Sequence, residues 1–271
     1  MTSAVTSPRT INTAVPLASA GALLVALTAA GPWLHRSFGI YVFWGIVLVT
    51  AAAAAWATVE SARLQSRQAL IIILGVRPSL HKKMLFSDPI LSSDMYRYVW
   101  DGRVQAAGIN PYRFIPAAPE LEALRSGDTT IYPGINRADY APTIYPPAAQ
   151  MLFFAITRFG ESLPIMKLGL LAFEALAIAC LISILQLLNQ PATRIAAYAW
   201  HPLPVWEIAG NGHADAAMLG LMLLGLWLYF NAKVTLAGAA ATVAALIKPT
   251  ALLAMPIFWQ PWNWKLPAIL A

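Results

Sequence analysis

The sequence predicts an all-α polytopic membrane protein, and three observations carry that expectation. Of 271 residues, 59% are hydrophobic and only 11% are charged; the mean hydropathy is +0.62; and apolar stretches long enough to form spanning helices recur along the chain. A water-soluble domain needs roughly a quarter of its residues charged to cover its surface, which 18 basic and 12 acidic side chains cannot supply here. A bilayer-crossing helix needs about 20 mostly apolar residues, because its backbone groups must be paired within the segment.

Residues 1–14 are polar and unpatterned. Leu17–Leu34 and Phe38–Val59 are separated only by His35, Arg36 and Ser37, which predicts a tight helical hairpin. With Arg9 alone in front and a second apolar stretch directly behind, the first stretch reads as a retained anchor rather than a cleaved signal. Glu60–Gln68, with Arg63 and Arg67, is a short basic loop expected on the cytoplasmic side. Ala69–Val76 offers eight apolar residues before Arg77 and Pro78, and His81, Lys82 and Lys83 follow. A third crossing there has to be broken, tilted or shielded by protein. Pro147–Phe159 is too short to cross and reads as a surface or re-entrant helix. Ile165–Leu188 is a clean span whose Glu174 is expected to face the bundle interior.

Ile195–Ala209, Ala214–Phe230 and Val234–Ile247 continue the zigzag, with Arg194 and Lys233 marking cytoplasmic turns. Thr250–Phe258 is short, and Trp262 and Trp264 form an interfacial pair. Leu266–Ala271 is apolar without a polar stop and reads as the start of another helix, so the sequence is expected to be part of a longer protein. The domain expectation is a polar tail with two spanning helices over 1–68, a broken helix with a large external loop containing short helices over 69–146, and the remaining bundle over 147–271.

Charge and cysteine usage exclude other classes. The net charge is +6, but the basic residues are scattered and no basic block accompanies an aromatic platform, so nucleic acid is not a partner. Cys180 is the one cysteine, which excludes an intramolecular disulfide and leaves a thiolate metal site unsupported. Residues 77–146 hold seven of the twelve acids: Asp88, Asp94, Asp101, Glu120, Glu122, Asp128 and Asp139. Wet loops are where charges cost least and where function is commonly carried. For Glu120, Glu122 and Asp128, solvation of a long loop is the favoured reading.

The strongest local pattern runs from Ser92 to Gln105. Ser92 or Ser93 can cap a helix whose first turn carries Asp94, and Gly108 can end it. Helical spacing puts Asp94, Tyr98, Asp101 and Gln105 along one face, with Arg97 and Arg103 near its edges. Two readings stand for each group. Tyr96, Tyr98 and Trp100 form either an interfacial belt or a pocket wall; Asp101 either pairs with Arg97 or meets a substrate. Asn110, Tyr112, Arg137 and Tyr145 follow in a proline-rich segment that can wall a sugar or simply seal the helix ends. A second constellation, Glu207 to Asp215, puts His213 and Asp215 at a glycine-flanked turn. His213 is either a hydrogen-bonded structural residue or part of a site, and a zinc set is too sparse. Lys248 either snorkels or meets a phosphate.

Ser92–Tyr112, with TIYPPAAQ at 143–150, GNGHAD at 210–215 and KPT at 248–250, resembles bacterial membrane glycosyltransferases of the glycosyltransferase-C superfamily, especially polyprenyl-phosphomannose-dependent mannosyltransferases. Agreement extends through most of residues 69–271. The resemblance implies a glycosyltransferase-C-like helical bundle in the bacterial plasma membrane, surrounded by lipid, with its site on the external or periplasmic face. It implies a polyprenyl-phosphate-linked sugar donor, a glycan or glycolipid acceptor, inversion at the anomeric carbon, and no metal or other cofactor.

By the same resemblance Asp94 is the catalytic base and Asp101 orients Arg97 or meets the acceptor. Arg97, Arg103, Arg137 and Lys248 are then phosphate candidates. His213 and Asp215 hold the pocket floor, while Tyr98, Asn110, Tyr112 and Tyr145 contact substrate. Members show two adjacent acids where this chain has Ser93 and Asp94, and a second amide-bearing residue where it has Ala214. Two other classes stay open on the residues alone. One is a transporter or flippase using intramembrane acids and proline-broken helices; the other is a non-catalytic membrane subunit.

Overall fold

The computed structural model describes residues 14–64 and 67–258. The polar residues 1–13, two positions of the 60–68 loop, the Trp262 and Trp264 pair and the apolar stretch 266–271 lie outside the described residues. Twelve α-helical segments follow one another: α1 (Ala14–Phe38), α2 (Ile40–Leu64), α3 (Arg67–Leu85), α4 (Asp94–Ala106), α5 (Glu122–Arg125), α6 (Pro147–Thr157), α7 (Leu163–Leu187), α8 (Ala196–Ala199), α9 (Pro202–Pro204), α10 (Asp215–Phe230), α11 (Val234–Ile247) and α12 (Met255–Phe258). No sheet occurs among the described residues, and α1, α2 and α7 are long and apolar enough to cross a membrane. The chain is an all-α, multi-helix membrane protein. It divides into two compact units, one of residues up to Leu80 with Pro191–His201, the other of His81–Gln190 with the residues from Pro202 on.

In the first unit, α1 and α2 form the expected hairpin, broken by a single residue, Gly39, at φ +83°. That left-handed conformation is open to glycine at little cost. His35 and Arg36 occupy the last turn of α1, where positive charge complements the free carbonyls, and Arg36 Nε donates to the Pro32 carbonyl at 3.2 Å. Leu48, Trp33 and Trp56 stay exposed, as side chains facing lipid rather than water do. Of the alternatives for the third crossing, broken, tilted or shielded by protein, the helix is not broken: α3 passes through Pro78 to Leu85, with Arg77 shielded by protein. Its buried Arg77 is given polar partners within the protein. Arg77 is buried, donates through Nη1 to the Ala199 carbonyl at 2.5 Å and lies 5.8 Å from the Tyr198 ring centre. Trp200 Nε1 donates to the Ile73 carbonyl at 2.9 Å. Ser61 ties α2 to the same segment through the Thr193 carbonyl.

The Ile195–Ala209 crossing expected from hydropathy is not a single helix. The stretch divides into a 3-10 turn over Ala192–Ile195, α8, α9 and a π-helical turn over Val205–Gly210. Pro202 and Pro204 lack the amides that a continuous ladder would use, and hydropathy does not register that loss.

In the second unit α7 packs on α10, α10 on α11, and α4 on α6. Small residues permit the close approaches, as is usual between helices in lipid: a Cβ at Gly220 would lie 2.5 Å from the Phe173 carbonyl oxygen, and one at Gly225 3.1 Å from that of Ala237. Met95, Val99, Trp100, Phe153, Met166 and Leu170 form the centre of the core. Charges inside this apolar unit are matched. Lys167 is fully buried, and its ammonium donates to the carbonyls of Met84 and Ser87 at 2.6 Å each. Glu174 faces the interior as expected, 3.4 Å from His81 Nε2.

The α4–α6 contact has no spare volume, since a Cβ at Gly102 would lie 2.8 Å from the Phe153 carbonyl oxygen. Gly102→Ala is therefore expected to destabilise the second unit by about 1–3 kcal/mol, read as a lowered unfolding temperature in detergent. An unchanged melting curve would contradict the tight packing.

Candidate functional site

The start of α4 is built by short-range hydrogen bonds. Ser92 Oγ accepts the Asp94 amide at 3.2 Å, while Ser93 occupies the N-cap without a side-chain cap bond. Gly108, at φ +75°, takes the chain out of the helix. A long-range clamp fixes the preceding segment: Asn211, buried in the turn between the π-helix and α10, accepts the amides of Ile90 at 3.1 Å and Leu91 at 3.0 Å. Gly212, at φ +67°, lies against Met95, with no room for a Cβ beside the Met95 sulfur. The glycine-flanked turn therefore holds the first turn of α4 in place.

These elements enclose a cavity of about 470 Å³, within the ordinary range for a small-molecule site. Eight of the twelve residues named from the sequence line it: Asp94, Arg97, Tyr98, Arg137, Tyr145, His213, Asp215 and Lys248. Asn136 and Thr143, in the proline-rich segment that the sequence reading allowed as a sugar wall, also line it; that reading missed Ser93, whose signal was its place beside Asp94.

The remaining four candidates lie off the wall. Asp101 is buried beneath it with both oxygens engaged: Arg97 Nε donates to Oδ1 at 2.7 Å, Thr143 Oγ1 to Oδ2 at 2.5 Å and Gln150 Nε2 to Oδ2 at 2.7 Å. Burial pushes its carboxyl above the usual range, against the pull of Arg97, Gln150 and Thr143. Arg103 donates through Nε to Glu161 at 2.7 Å and through Nη1 to Asp128 at 2.5 Å. Asn110 makes a local turn by accepting the Tyr112 amide at 2.9 Å, and the Tyr112 hydroxyl donates to the Tyr145 carbonyl at 2.6 Å. Asp128, favoured as a solvating acid, is an ordered loop centre that also accepts the amides of Thr130, Ile131 and Tyr132. Despite some burial, those donors and Arg103 hold its carboxyl well below the usual range.

Along the wall, charges are mostly paired. Arg97 is fixed by Asp101 and by the Ala141 carbonyl at 3.0 Å. Lys248 Nζ donates to both Asp215 oxygens, at 2.7 and 2.6 Å, and His213 Nδ1 lies 2.7 Å from Glu207. Asp94 differs: among the described residues no hydrogen bond or ion pair engages its carboxylate. Arg137, exposed and held at φ +60°, also has no ion pair among the described residues, and left-handed backbone at a non-glycine residue is the kind of strain that gathers at functional sites. Tyr98 stacks on Phe153, with ring centres 4.2 Å apart, and meets Tyr145 edge-on at 4.9 Å. Burial pushes both phenols well above their ordinary range, and the Asp94 charge acts in the same direction, so both keep their protons. Among the described residues no group of three His, Cys, Asp or Glu side chains could hold a metal ion.

The chain is thus an all-α membrane protein whose helix-borne Asp94 lines a cavity walled by aromatic and charged side chains. The family described as alpha-(1->6)-mannopyranosyltransferase, N-terminal domain, matches residues 83–263, more than half of the sequence and every cavity-lining residue, and the chain belongs to that family. It is 25% identical over 186 residues to alpha-(1->6)-mannopyranosyltransferase A of Corynebacterium glutamicum, covering 65% of this chain and 36% of that protein. With the protein of the same name from Mycobacterium tuberculosis it shares 26% identity over 191 residues, covering 66% of this chain and 34% of the relative. The chain thus spans about a third of the length of these curated relatives. No solved structure matches it.

The pair at the turn sets a pH dependence. Burial pulls the His213 value down, but Glu207, Asp215 and Asp94 raise it above the ordinary 6.5; the hydrogen bond from His213 holds Glu207 below the ordinary 4.5 against burial. A raised histidine contributes fully below 6.5 and loses that contribution as pH rises through its folded value. A lowered glutamate contributes fully above 4.5 and loses it as pH falls through its folded value. The pair's stabilisation is therefore greatest between these values, and His213→Gln should flatten the pH dependence of thermal unfolding on both flanks. A parallel curve for the variant would show that the pair contributes nothing.

Proposed function

We propose that the cavity transfers a sugar, mannose by family, from a polyprenyl phosphate donor to a cell-envelope glycan or lipid acceptor with inversion. The supporting observation is the unengaged Asp94 carboxylate on a wall where Arg97, His213 and Lys248 are each matched by an acid. A base has to be within hydrogen-bond reach of the proton it takes and have an oxygen free to take it. Asp94 meets the second condition, whereas Asp101 has both oxygens occupied.

In this reading the acceptor hydroxyl attacks the sugar C1 while its proton passes to Asp94. The bond from C1 to the phosphate oxygen breaks, and polyprenyl phosphate departs with the electron pair. Because phosphate is a weak base, its departure needs positive charge rather than a strong acid. Arg137 supplies that charge, with the uncommitted guanidinium donors of Arg97 beside it; Lys248 is already shared with Asp215 and completes the wall. Asp101 acts as a positioning residue through Arg97 and Thr143. Tyr98 and Tyr145 give an apolar face to the sugar ring and exclude water. The donor is lipid-borne, and in this reading, as the family resemblance implies, the cavity works at the external surface of the bacterial plasma membrane.

Protein in nanodiscs is expected to move radiolabelled mannose from polyprenyl phosphomannose to a mannose-containing acceptor. Asp94→Asn should cut turnover by about 10²-fold or more with unchanged thermal unfolding, and full turnover in that variant would remove Asp94 as the base. Arg137→Ala should raise the donor KM by about tenfold, as loss of one charged hydrogen bond does. An unaltered donor KM would move the phosphate contact elsewhere.

A further inference from the structure

A second cavity, of about 390 Å³, opens on the other side of α4. At 100° per residue, positions 94, 97 and 98 share one side of the helix, and 96 points away from them. Tyr96 accordingly lines the second cavity while Asp94, Arg97 and Tyr98 line the first. The Tyr96 ring lies on the backbone of Gly134, where a Cβ would come within 2.6 Å of ring carbon Cγ, so one face is fixed by packing that only glycine permits. Phe86, Leu163 and Pro164 add apolar wall, and Asp88 and Glu161 add carboxylates.

The cavity is held in shape. The buried ammonium of Lys167 takes the Ser87 carbonyl at 2.6 Å, fixing the wall that carries Asp88. Arg103 Nε fixes Glu161 at 2.7 Å. Asp88 has no ion pair among the described residues. Glu161 is already paired with Arg103 at 2.7 Å and with Arg158 at 3.7 Å, so Asp88 is the carboxylate left beside the aromatic ring. That arrangement suits a neutral, hydroxyl-rich ligand whose O–H groups donate to the acid while its C–H face rests on the ring. The volume lies within the range of about 300–1,000 Å³ typical of small-molecule sites. One loop walls both cavities, with Thr130 and Ile131 in the second and Asn136–Pro146 in the first. The span between them is about one helix diameter, ~10–12 Å.

We propose that this second cavity is a carbohydrate subsite that holds a non-reacting sugar residue of the acceptor glycan. The inference rests on the glycosyltransferase reading above and adds to it a preference for acceptors longer than one residue. The test uses the full chain in nanodiscs and α-(1->6)-linked mannose oligomers from the monomer to the tetramer. Binding is measured with Asp94→Asn protein and transfer with the unaltered base. Asp88→Asn and Tyr96→Ala should each weaken tetramer binding and raise the tetramer KM by about five- to tenfold, with monomer values unchanged. Asp88 is exposed, so its variant keeps the test valid if Tyr96→Ala fails to fold.

Equal effects on monomer and tetramer, no effect on either, or no tetramer binding at all would overturn the subsite. Length-dependent binding lost in Asp88→Asn, without any sugar transfer by the unaltered protein, would uphold the subsite and reject the transferase reading. Transfer whose length dependence survives both substitutions would do the reverse.

Discussion

The buried Asp101 carboxylate ties together three pieces of chain that also pack against one another through Tyr98, Tyr145 and Phe153. Arg97 approaches it from the previous turn of α4, Thr143 from the loop and Gln150 from α6, at 2.5 to 2.7 Å. Gln150 Nε2 also donates to Thr143 Oγ1 at 2.8 Å, and Gln105 Nε2 closes the network on the Gln150 side-chain oxygen at 3.0 Å. A carboxylate this deeply buried would be costly if it lost a partner, because removing one member of a buried pair leaves an uncompensated charge. The same network orients Arg97 and fixes the loop that forms much of the cavity wall. Wall and helix are therefore one hydrogen-bonded object.

A second constraint is that charges inside an apolar scaffold need polar partners. Arg77 in the first unit, and Lys167 and Glu174 in the second, lie where water is excluded, and each has a partner within reach. Lys167 uses the backbone carbonyls of Met84, in the last turn of α3, and of Ser87, just past its end. Such partners convert isolated charges, which would be costly in the bundle, into fastenings between helices. In the proposed chemistry this background matters because it leaves few uncommitted charges. Asp94 and Arg137 stand out at the cavity because their neighbours are paired.

Much of the architecture was legible in the sequence. The α1–α2 hairpin, the α7 span, the short α6 and the bounds of α4 followed from hydropathy, Ser92 or Ser93 at the start and Gly108 at the end. The failures share a cause. Hydropathy counts side chains and ignores the backbone, so it joined Ile195–Ala209 across Pro202 and Pro204. It also left a broken helix open at Arg77 and Pro78, although tertiary partners carry α3 through them. Asp128 read as a solvating acid because nothing in the order of residues announces three amides turning toward it.

The sequence by itself determined the solvent, the helices and the residue types of the candidate site, since composition and 3.6-residue periodicity are local properties of the chain. Only the tertiary structure decided which of those side chains have anything left to offer. Asp94 and Asp101 lie two turns apart on one helix and look equivalent in one dimension; Thr143 and Gln150, about 40 to 50 positions later, occupy the second and leave the first open to the cavity. The physical reason is that a hydrogen bond is satisfied by atoms close in space, and closeness in space is set by helix packing rather than by sequence spacing.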